Sequence, residues 1–141
     1  MTTIVYSHER KEIAMDSRAS RGGMVVTDKF VKMFESKGVK FFMAGLPADV
    51  KVLMEMYEDP EIMGLPEVEC LVLDGGKVYS VCPSEEGTLS ILECTFDCSI
   101  GSGGEWALAA LDFGRTTRQA VKYATTRDLY SGGKISVIKV K

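Results

Sequence analysis

The sequence has a single histidine, His8, and no apolar run that approaches the roughly 20 residues of a membrane-spanning helix. Its net charge is only −3, from 17 basic and 20 acidic residues. Nucleic-acid-binding proteins usually carry a clear basic excess, so we expect neither nucleic acid nor a membrane as a partner. The N-terminus also lacks the basic-then-apolar order of a signal peptide, so we expect a cytoplasmic protein.

No two of the four cysteines (Cys70, Cys82, Cys94 and Cys98) form a CxxC pair, and His8 is far from them in the sequence. A zinc site is therefore not expected. A cysteine–histidine nucleophile pair would have to take His8 from the first strand, and it is disfavoured for that reason. We expect reduced thiols within the core.

What the sequence does contain is typical of one globular domain over residues 1–141, with 45% hydrophobic and 26% charged residues. Its periodicity predicts several extended segments and three helices. A glycine-bearing loop is expected at residues 20–24. The extended segments are expected at residues 2–8, 11–17, 25–27, 29–34, 39–44, 69–73, 77–82 and 134–140, with another pair within 89–100, and the helices at 47–58, 105–113 and 117–126.

The order of these elements is strands, helix, strands, two helices, strand. It differs from the regular βα alternation of a doubly wound parallel sheet. It favours antiparallel sheet layers with helices outside, which is the α+β class.

The start of the chain offers the first candidate chemistry. The small residue after Met1 permits methionine removal, which would give Thr2 a free α-amine beside its own hydroxyl. An α-amine with a pKa of about 7.7–8.0 can accept the hydroxyl proton near neutral pH. If Met1 is retained, this chemistry cannot proceed.

Five blocks, in order, resemble the proteasome β-subunit family and its bacterial relative that partners an ATPase ring. They span nearly the whole chain. The blocks are TTIV at residues 2–5 with the strand ending at Asp16, VTDK at 26–29, MAGLPAD at 43–49, IGSGG at 100–104 and RDLYSGG at 127–133.

This resemblance implies an N-terminal-nucleophile (Ntn) hydrolase fold, an αββα sandwich of two antiparallel sheets between helical layers. Between Gly45 and Ser102 there is room for one helix where the family usually has two, so we expect one helix to be missing. The segment between Asp16 and Lys29 is also slightly short for the family.

The resemblance also implies the catalytic roles. Thr2 would be the nucleophile, Lys29 would lie beside its hydroxyl, and Asp16 would pair with Lys29. Gly45 would donate its N–H to the oxyanion. The simpler alternatives are a solvated lysine, an aspartate in a turn and a glycine that ends a strand.

A second group of residues would support the Thr2 amine. Ser102, Asp128 and Ser131 would orient it and relay its proton, although Ser102 could be only a helix N-cap and the other two only part of a turn. No cofactor is required. A monovalent cation could be held by the main-chain carbonyls of Thr125, Asp128 and Ser131.

The family's specificity pocket corresponds to Thr27, Val31 and Met43, which predicts cleavage after apolar residues. The implied function is a threonine peptidase subunit of a self-compartmentalising homo-oligomeric ring. Its substrates would be unfolded proteins or peptides, and an AAA+ unfoldase is a candidate partner. The alternatives are a catalytically silent ring or binding subunit and a hydrolase of small amides.

Overall fold

The computed structural model describes residues 2–140, which form two main sheets, a small hairpin and three helices. In chain order the elements are β1 (Ile4–Ser7), β2 (Glu12–Met15), β3 (Ala19–Arg21), β4 (Met24–Thr27), β5 (Met33–Ser36), β6 (Val39–Gly45), α1 (Pro47–Glu58), β7 (Val68–Asp74), β8 (Lys77–Pro83), β9 (Leu89–Glu93), β10 (Cys98–Ile100), α2 (Gly104–Asp112), α3 (Thr117–Thr125) and β11 (Ser136–Lys139).

The first main sheet has four antiparallel strands in the order β10-β1-β2-β11. Because side chains alternate across a strand, each central strand supplies both faces. Val5 and Ala14 pack with alanines of α2 and α3, whereas Ile4 and Ile13 face the opposite way. This sheet therefore has a helical layer on one side and the second sheet on the other.

The second main sheet has five antiparallel strands in the order β5-β6-β7-β8-β9. Phe42 and Leu71 pack against Ile4 and Ile13 of the first sheet. The alternating residues point to the other face, where Phe41 and its neighbours pack under Leu53 of α1. The layers thus run helices, sheet, sheet, helix, which is the expected αββα sandwich.

Local sequence accounts for the ends of the helices. Pro47 opens α1, where its missing N–H costs nothing. Thr116 and Gln119 form a reciprocal capping box at the start of α3. Within residues 2–140, no helix is long and apolar enough to cross a membrane.

The expected α+β class and helix positions are confirmed, and between Gly45 and Ser102 the described chain contains only α1. Three details differ. Residues 20–24 lie within the β3–β4 hairpin, β5 begins at Met33, and the extended pair within 89–100 is divided between the two main sheets. That last segment is where the chain crosses from one sheet to the other, which periodicity alone does not reveal.

The cysteines follow the expectation only in part. All four are free thiols, and Cys70 and Cys94 are buried. Cys98 is half-buried, and Cys82 is exposed on β8. A core position was thus wrong for Cys82, which lies near the end of its strand.

Candidate active site

Thr2 lies just before β1 and is 4% exposed. Its carbonyl accepts the Gly103 N–H at 3.0 Å, so the loop after β10 is held against it. Gly101 has φ +89°, and a Cβ there would overlap the Thr2 carbonyl oxygen. A Cβ at Gly103 would likewise overlap the Thr3 hydroxyl. The glycines of the GSGG block therefore permit close approach to the N-terminal strand.

Asp16 follows β2 and is almost fully buried, at 1% exposure. Its Oδ1 accepts the Thr3 N–H at 3.0 Å, and its Oδ2 accepts the backbone N–H groups of Arg18 at 3.2 Å and Gly132 at 3.0 Å. The carboxylate thereby joins its own segment to the N-terminal strand and to the loop before β11. The expected pairing of Asp16 with Lys29 was wrong in its partner, because another lysine meets this carboxylate.

The lysine that meets this carboxylate is Lys32. Its Nζ donates to Asp16 Oδ1 at 2.8 Å and to Thr2 Oγ1 at 3.1 Å, and its side chain is 3% exposed. Burial lowers the pKa of Lys32 below the usual lysine value, while the Asp16 charge and hydrogen bond act against that decrease. A cation is thus held next to the Thr2 hydroxyl oxygen.

The expectation that Lys29 would occupy this position was wrong. Lys29 is exposed, and its backbone N–H donates to Thr27 Oγ1 at 3.1 Å. Exposure alternates from here, because Lys29 and Val31 are exposed while Phe30 and Lys32 are shielded. An extended segment places alternate residues on opposite faces, so Lys29 cannot share the face of Lys32.

Two of the residues expected to line the specificity pocket were wrong by the same offset of three residues. Thr27 and Val31 lie outside the pocket that Thr2 lines, and Val31 is 67% exposed. Met43 lines this pocket, as expected, and the volume of the pocket is about 170 Å³. The pocket also includes Phe30 and Phe34, which follow the positions originally expected by three residues, and residues of β6 and α1 complete it. Its lining residues are Thr2, Arg18, Ala19, Ser20, Phe30, Lys32, Phe34, Met43, Gly45, Leu46, Pro47 and Val50.

On the other side of Thr2 lies a chain of hydroxyls that ends on one carboxylate. The Thr2 nitrogen donates to Ser102 Oγ at 3.3 Å, and Ser102 Oγ donates to Asp128 Oδ2 at 2.6 Å. Ser131 Oγ also donates to Asp128 Oδ2 at 2.6 Å. The Thr3 hydroxyl is 2.7 Å from Ser131 Oγ and is therefore its donor. The structure brings together all three polar residues that the sequence suggested.

Asp128 is 8% exposed yet remains a good anion. Burial alone would raise its pKa, but hydrogen bonds from Ser102, Ser131 and the Tyr130 N–H lower the pKa below the usual aspartate value. Since both hydroxyls donate to this carboxylate, Ser102 Oγ presents a lone pair to the Thr2 nitrogen.

Gly45 ends β6 and lines the same pocket as Thr2. It has φ +141°, and a Cβ there would overlap the Glu67 carbonyl oxygen. Only glycine can therefore place its backbone here. The position agrees with the expectation, and the oxyanion role remains a prediction.

The residues suggested for a cation lie at the end of α3 and in the following loop. The Asp128 carbonyl accepts the Ser131 N–H at 3.2 Å, and the Thr125 hydroxyl donates to the Lys122 carbonyl at 2.6 Å. Cation binding stays a prediction.

Two participants were missed in the sequence. Lys32 could have been found from the two-residue alternation around Phe30. Arg18 forms an ion pair with Asp28 at 2.8 Å and donates to the Leu129 carbonyl at 3.2 Å, so it joins the segment after β2 to the loop after α3. No motif indicated this second contact.

No protein-family model and no curated protein matches the sequence. Solved structures do match. The eukaryotic HslV from Trypanosoma brucei is 20% identical with a TM-score of 0.70, and the match covers 98% of this chain and 99% of that one.

Two structures of BPH from Thiobacillus denitrificans are each 14% identical with TM-scores of 0.71 and cover 99% of this chain. The match spans 100% of the BPH chain in the complex with epoxomicin and 98% of the other. These likenesses extend over whole chains, so the resemblance to proteasome-type and HslV proteins is confirmed at the level of the fold.

Proposed function

We propose that this chain, which has the proteasome-type fold, is a threonine peptidase whose nucleophile is Thr2 after removal of Met1. Met1 lies outside the residues that the structure describes. The observation that carries the proposal is the contact of Lys32 Nζ with both Thr2 Oγ1 and buried Asp16. A buried lysine beside a threonine hydroxyl has no need to be there for packing alone, since an apolar side chain would fill the space at lower cost.

In the processed chain the Thr2 amine is the general base. One of its N–H groups donates to Ser102 Oγ, which leaves the nitrogen lone pair available for the hydroxyl proton. Thr2 Oγ attacks the scissile carbonyl carbon while the amine takes the proton. The ammonium then protonates the leaving nitrogen, the C–N bond breaks, and an ester on Thr2 remains. Water hydrolyses that ester with the same amine as base.

Lys32 supports this sequence by charge. Its ammonium lies 3.1 Å from Thr2 Oγ1 and stabilises the negative charge that develops on this oxygen. It also favours the unprotonated form of the nearby amine. Asp16 fixes the ammonium in place and is a positioning residue.

Gly45 is the proposed oxyanion donor. Its place in the pocket with Thr2 and its lack of a side chain allow a substrate carbonyl to approach the backbone N–H. Ser102, Asp128 and Ser131 keep the amine oriented, and Thr3 extends the same hydroxyl chain.

The pocket supports a preference for apolar residues on the amino side of the cleaved bond. Its apolar lining residues include Phe30, Phe34, Met43 and Val50. The charged groups beside it are already engaged, Lys32 with Asp16 and Arg18 with Asp28. An acidic or basic substrate side chain would therefore lose hydration without gaining an ion pair.

Self-association is the proposed setting for this site. Phe113 and Leu129 are 87% and 82% exposed, and a groove of about 720 Å³ between α2 and α3 is lined by aromatic and basic side chains. Such apolar exposure supports contacts with further copies of the chain. A homo-oligomeric ring, an AAA+ partner and a monovalent cation all remain predictions.

Intact-mass measurement of the expressed protein tests the proposal, with and without a peptide epoxyketone. We expect loss of the Met1 residue mass and one covalent adduct that maps to Thr2. A processed chain that stays unlabelled and leaves fluorogenic peptides uncut would instead favour a silent ring subunit. Hydrolysis of small amides without peptide cleavage would favour an amidohydrolase. Native mass measurement gives the oligomeric state.

A further inference from the structure

Two thiols face each other away from the active site, where the chain crosses between the main sheets. Cys94 directly follows β9 of the five-stranded sheet, and Cys98 begins β10 of the four-stranded sheet. Their sulfur atoms are 3.2 Å apart, with the Cys98 thiol as donor and Cys94 Sγ as acceptor. A disulfide bond measures about 2.05 Å, so the two sulfurs need to close by only about 1.2 Å.

The pair is electrostatically asymmetric. The hydrogen bond from Cys98 lowers the pKa of Cys94, although burial and the neighbouring Glu93 charge act in the other direction. The same hydrogen bond and burial raise the pKa of Cys98. The pair therefore loses its first proton as Cys94 thiolate hydrogen-bonded by Cys98 thiol, an arrangement of nucleophile and adjacent resolving thiol.

The other two cysteines provide a contrast within the same chain. Cys70 is fully buried, its thiol is directed at the Leu71 carbonyl, and burial raises its pKa. Cys82 is exposed on β8. Cys94 is itself only 3% exposed, but its partner Cys98 is half-buried. Among the described residues, only this pair combines a short sulfur–sulfur distance with a stabilised thiolate.

We propose that Cys94 and Cys98 form a reversible oxidation site that hydrogen peroxide converts to an intramolecular disulfide. The Cys94 thiolate attacks the peroxide, the O–O bond breaks, and a sulfenic acid and hydroxide form. The Cys98 thiol gives its proton to this hydroxide and attacks Cys94 Sγ. The S–O bond breaks and the second hydroxide leaves, to be protonated as water. Two thiols are oxidised by two electrons, and the peroxide is reduced to two waters.

The disulfide would tie the end of β9 to the start of β10 and so clamp the crossing between the sheets. β10 pairs with β1 through Ile4 and Ile100, and it leads through Gly101 to Ser102. The bond would therefore lie on the segment that leads to Ser102, whose hydroxyl contacts the Thr2 nitrogen. The proposal concerns thiol chemistry, however, and stands independently of peptidase activity.

The test uses the full-length reduced protein, one equivalent of hydrogen peroxide at pH 7, an alkylating quench in denaturant, and mass spectrometry of intact protein and peptides. We expect loss of two hydrogens, a peptide linkage between Cys94 and Cys98, and recovery by dithiothreitol. These two thiols should be lost faster than the Cys82 thiol, because Cys94 is the stabilised thiolate.

Cys98→Ser should abolish the linkage and leave a sulfenic acid at Cys94 that dimedone traps, whereas Cys82→Ser should behave as the wild-type protein. The mapping of the wild-type protein does not depend on how well either variant folds. Four thiols that stay titratable, oxidation of Cys82 as fast as the pair, or a disulfide that includes Cys70 or Cys82 would each overturn the proposal.

Discussion

Replacing Lys32 by methionine tests the core of the active-site argument. The substitution keeps an unbranched side chain one atom shorter and removes the ammonium that contacts Asp16 and Thr2. Removing one partner of a buried ion pair costs about 3–5 kcal/mol. Asp16 would still accept three backbone N–H bonds. We therefore expect a loss near the lower limit, about 3 kcal/mol in the free energy of unfolding.

We also expect Lys32→Met to lower the catalytic rate, independently of its effect on stability. Removing a preorganised group that stabilises developing charge typically lowers kcat by about 10²–10³-fold. The assays are denaturant unfolding and hydrolysis of leucyl and tyrosyl fluorogenic peptides by the folded variant, at denaturant concentrations well below the transition. Intact mass would confirm that Met1 has been removed from the variant, so that a processing defect is not mistaken for a catalytic one.

Lys29→Met is the matched control, because it removes the same charge three residues away on an exposed side chain. We expect its stability to change by no more than about 0.5 kcal/mol and its activity to be unchanged. If Lys29→Met lost as much activity as Lys32→Met, or if Lys32→Met kept full activity, the assignment of Lys32 would be refuted.

Three further predictions concern pH, backbone and pocket. Burial lowers the folded-state pKa of Lys32 below its unfolded value, so between these two pKa values the unfolded chain binds more protons than the folded one. The free energy of unfolding should therefore rise with pH across that window, up to about pH 10.4. Urea unfolding at several alkaline pH values should show this slope, and Lys32→Met should reduce it. Gly103→Ala should lower the free energy of unfolding by about 1–3 kcal/mol, because its Cβ would overlap the Thr3 hydroxyl. Gly23→Ala is the control and should not destabilise, because its Cβ would have no neighbour within 4 Å. Equal unfolding midpoints for the two variants would contradict this account of the loop. The wild-type protein should cleave after leucine or tyrosine faster than after acidic or basic residues. Met43→Ala should lower kcat/KM for the leucyl peptide by about 10-fold or more, because apolar contact in the pocket is lost. Equal kcat/KM values for the variant and the wild-type protein would contradict the assignment of Met43 to the pocket.

Much of the fold was accessible from local sequence. Pro47, the Asp74–Lys77 hairpin and Gly114 gave boundaries that agree with the structure to within a residue or two. The crossing between Glu93 and Cys98 was not accessible, because both flanking segments look equally extended. Which sheet a strand joins depends on long-range pairing, here of β9 with β8 and of β10 with β1.

The polar half of the site could be predicted for a related reason. Ser102 lies between Gly101 and Gly103, and Ser131 precedes Gly132 and Gly133, at positions where close approach of other atoms leaves no room for a Cβ. A Cβ at Gly103 would come within 3.1 Å of Asp128 Oδ2 and Ser131 Oγ, so the close packing of these groups depends on the glycine itself. In such loops the match of a block also fixes the geometry of its residues.

The lysine lies in a segment with the opposite property. Residues 29–34 contain two lysines three positions apart, and extended chain has a side-chain period of two. An odd offset moves every matched residue to the other face, so VTDK placed Lys29 where the chain presents its solvent face. Alternate residues of this segment lie on the same face, and Phe30, Lys32 and Phe34 all line one pocket. A single register therefore sets both the charge beside Thr2 and the apolar wall of the pocket, and a one-residue insertion before Phe30 within this segment would remove both together.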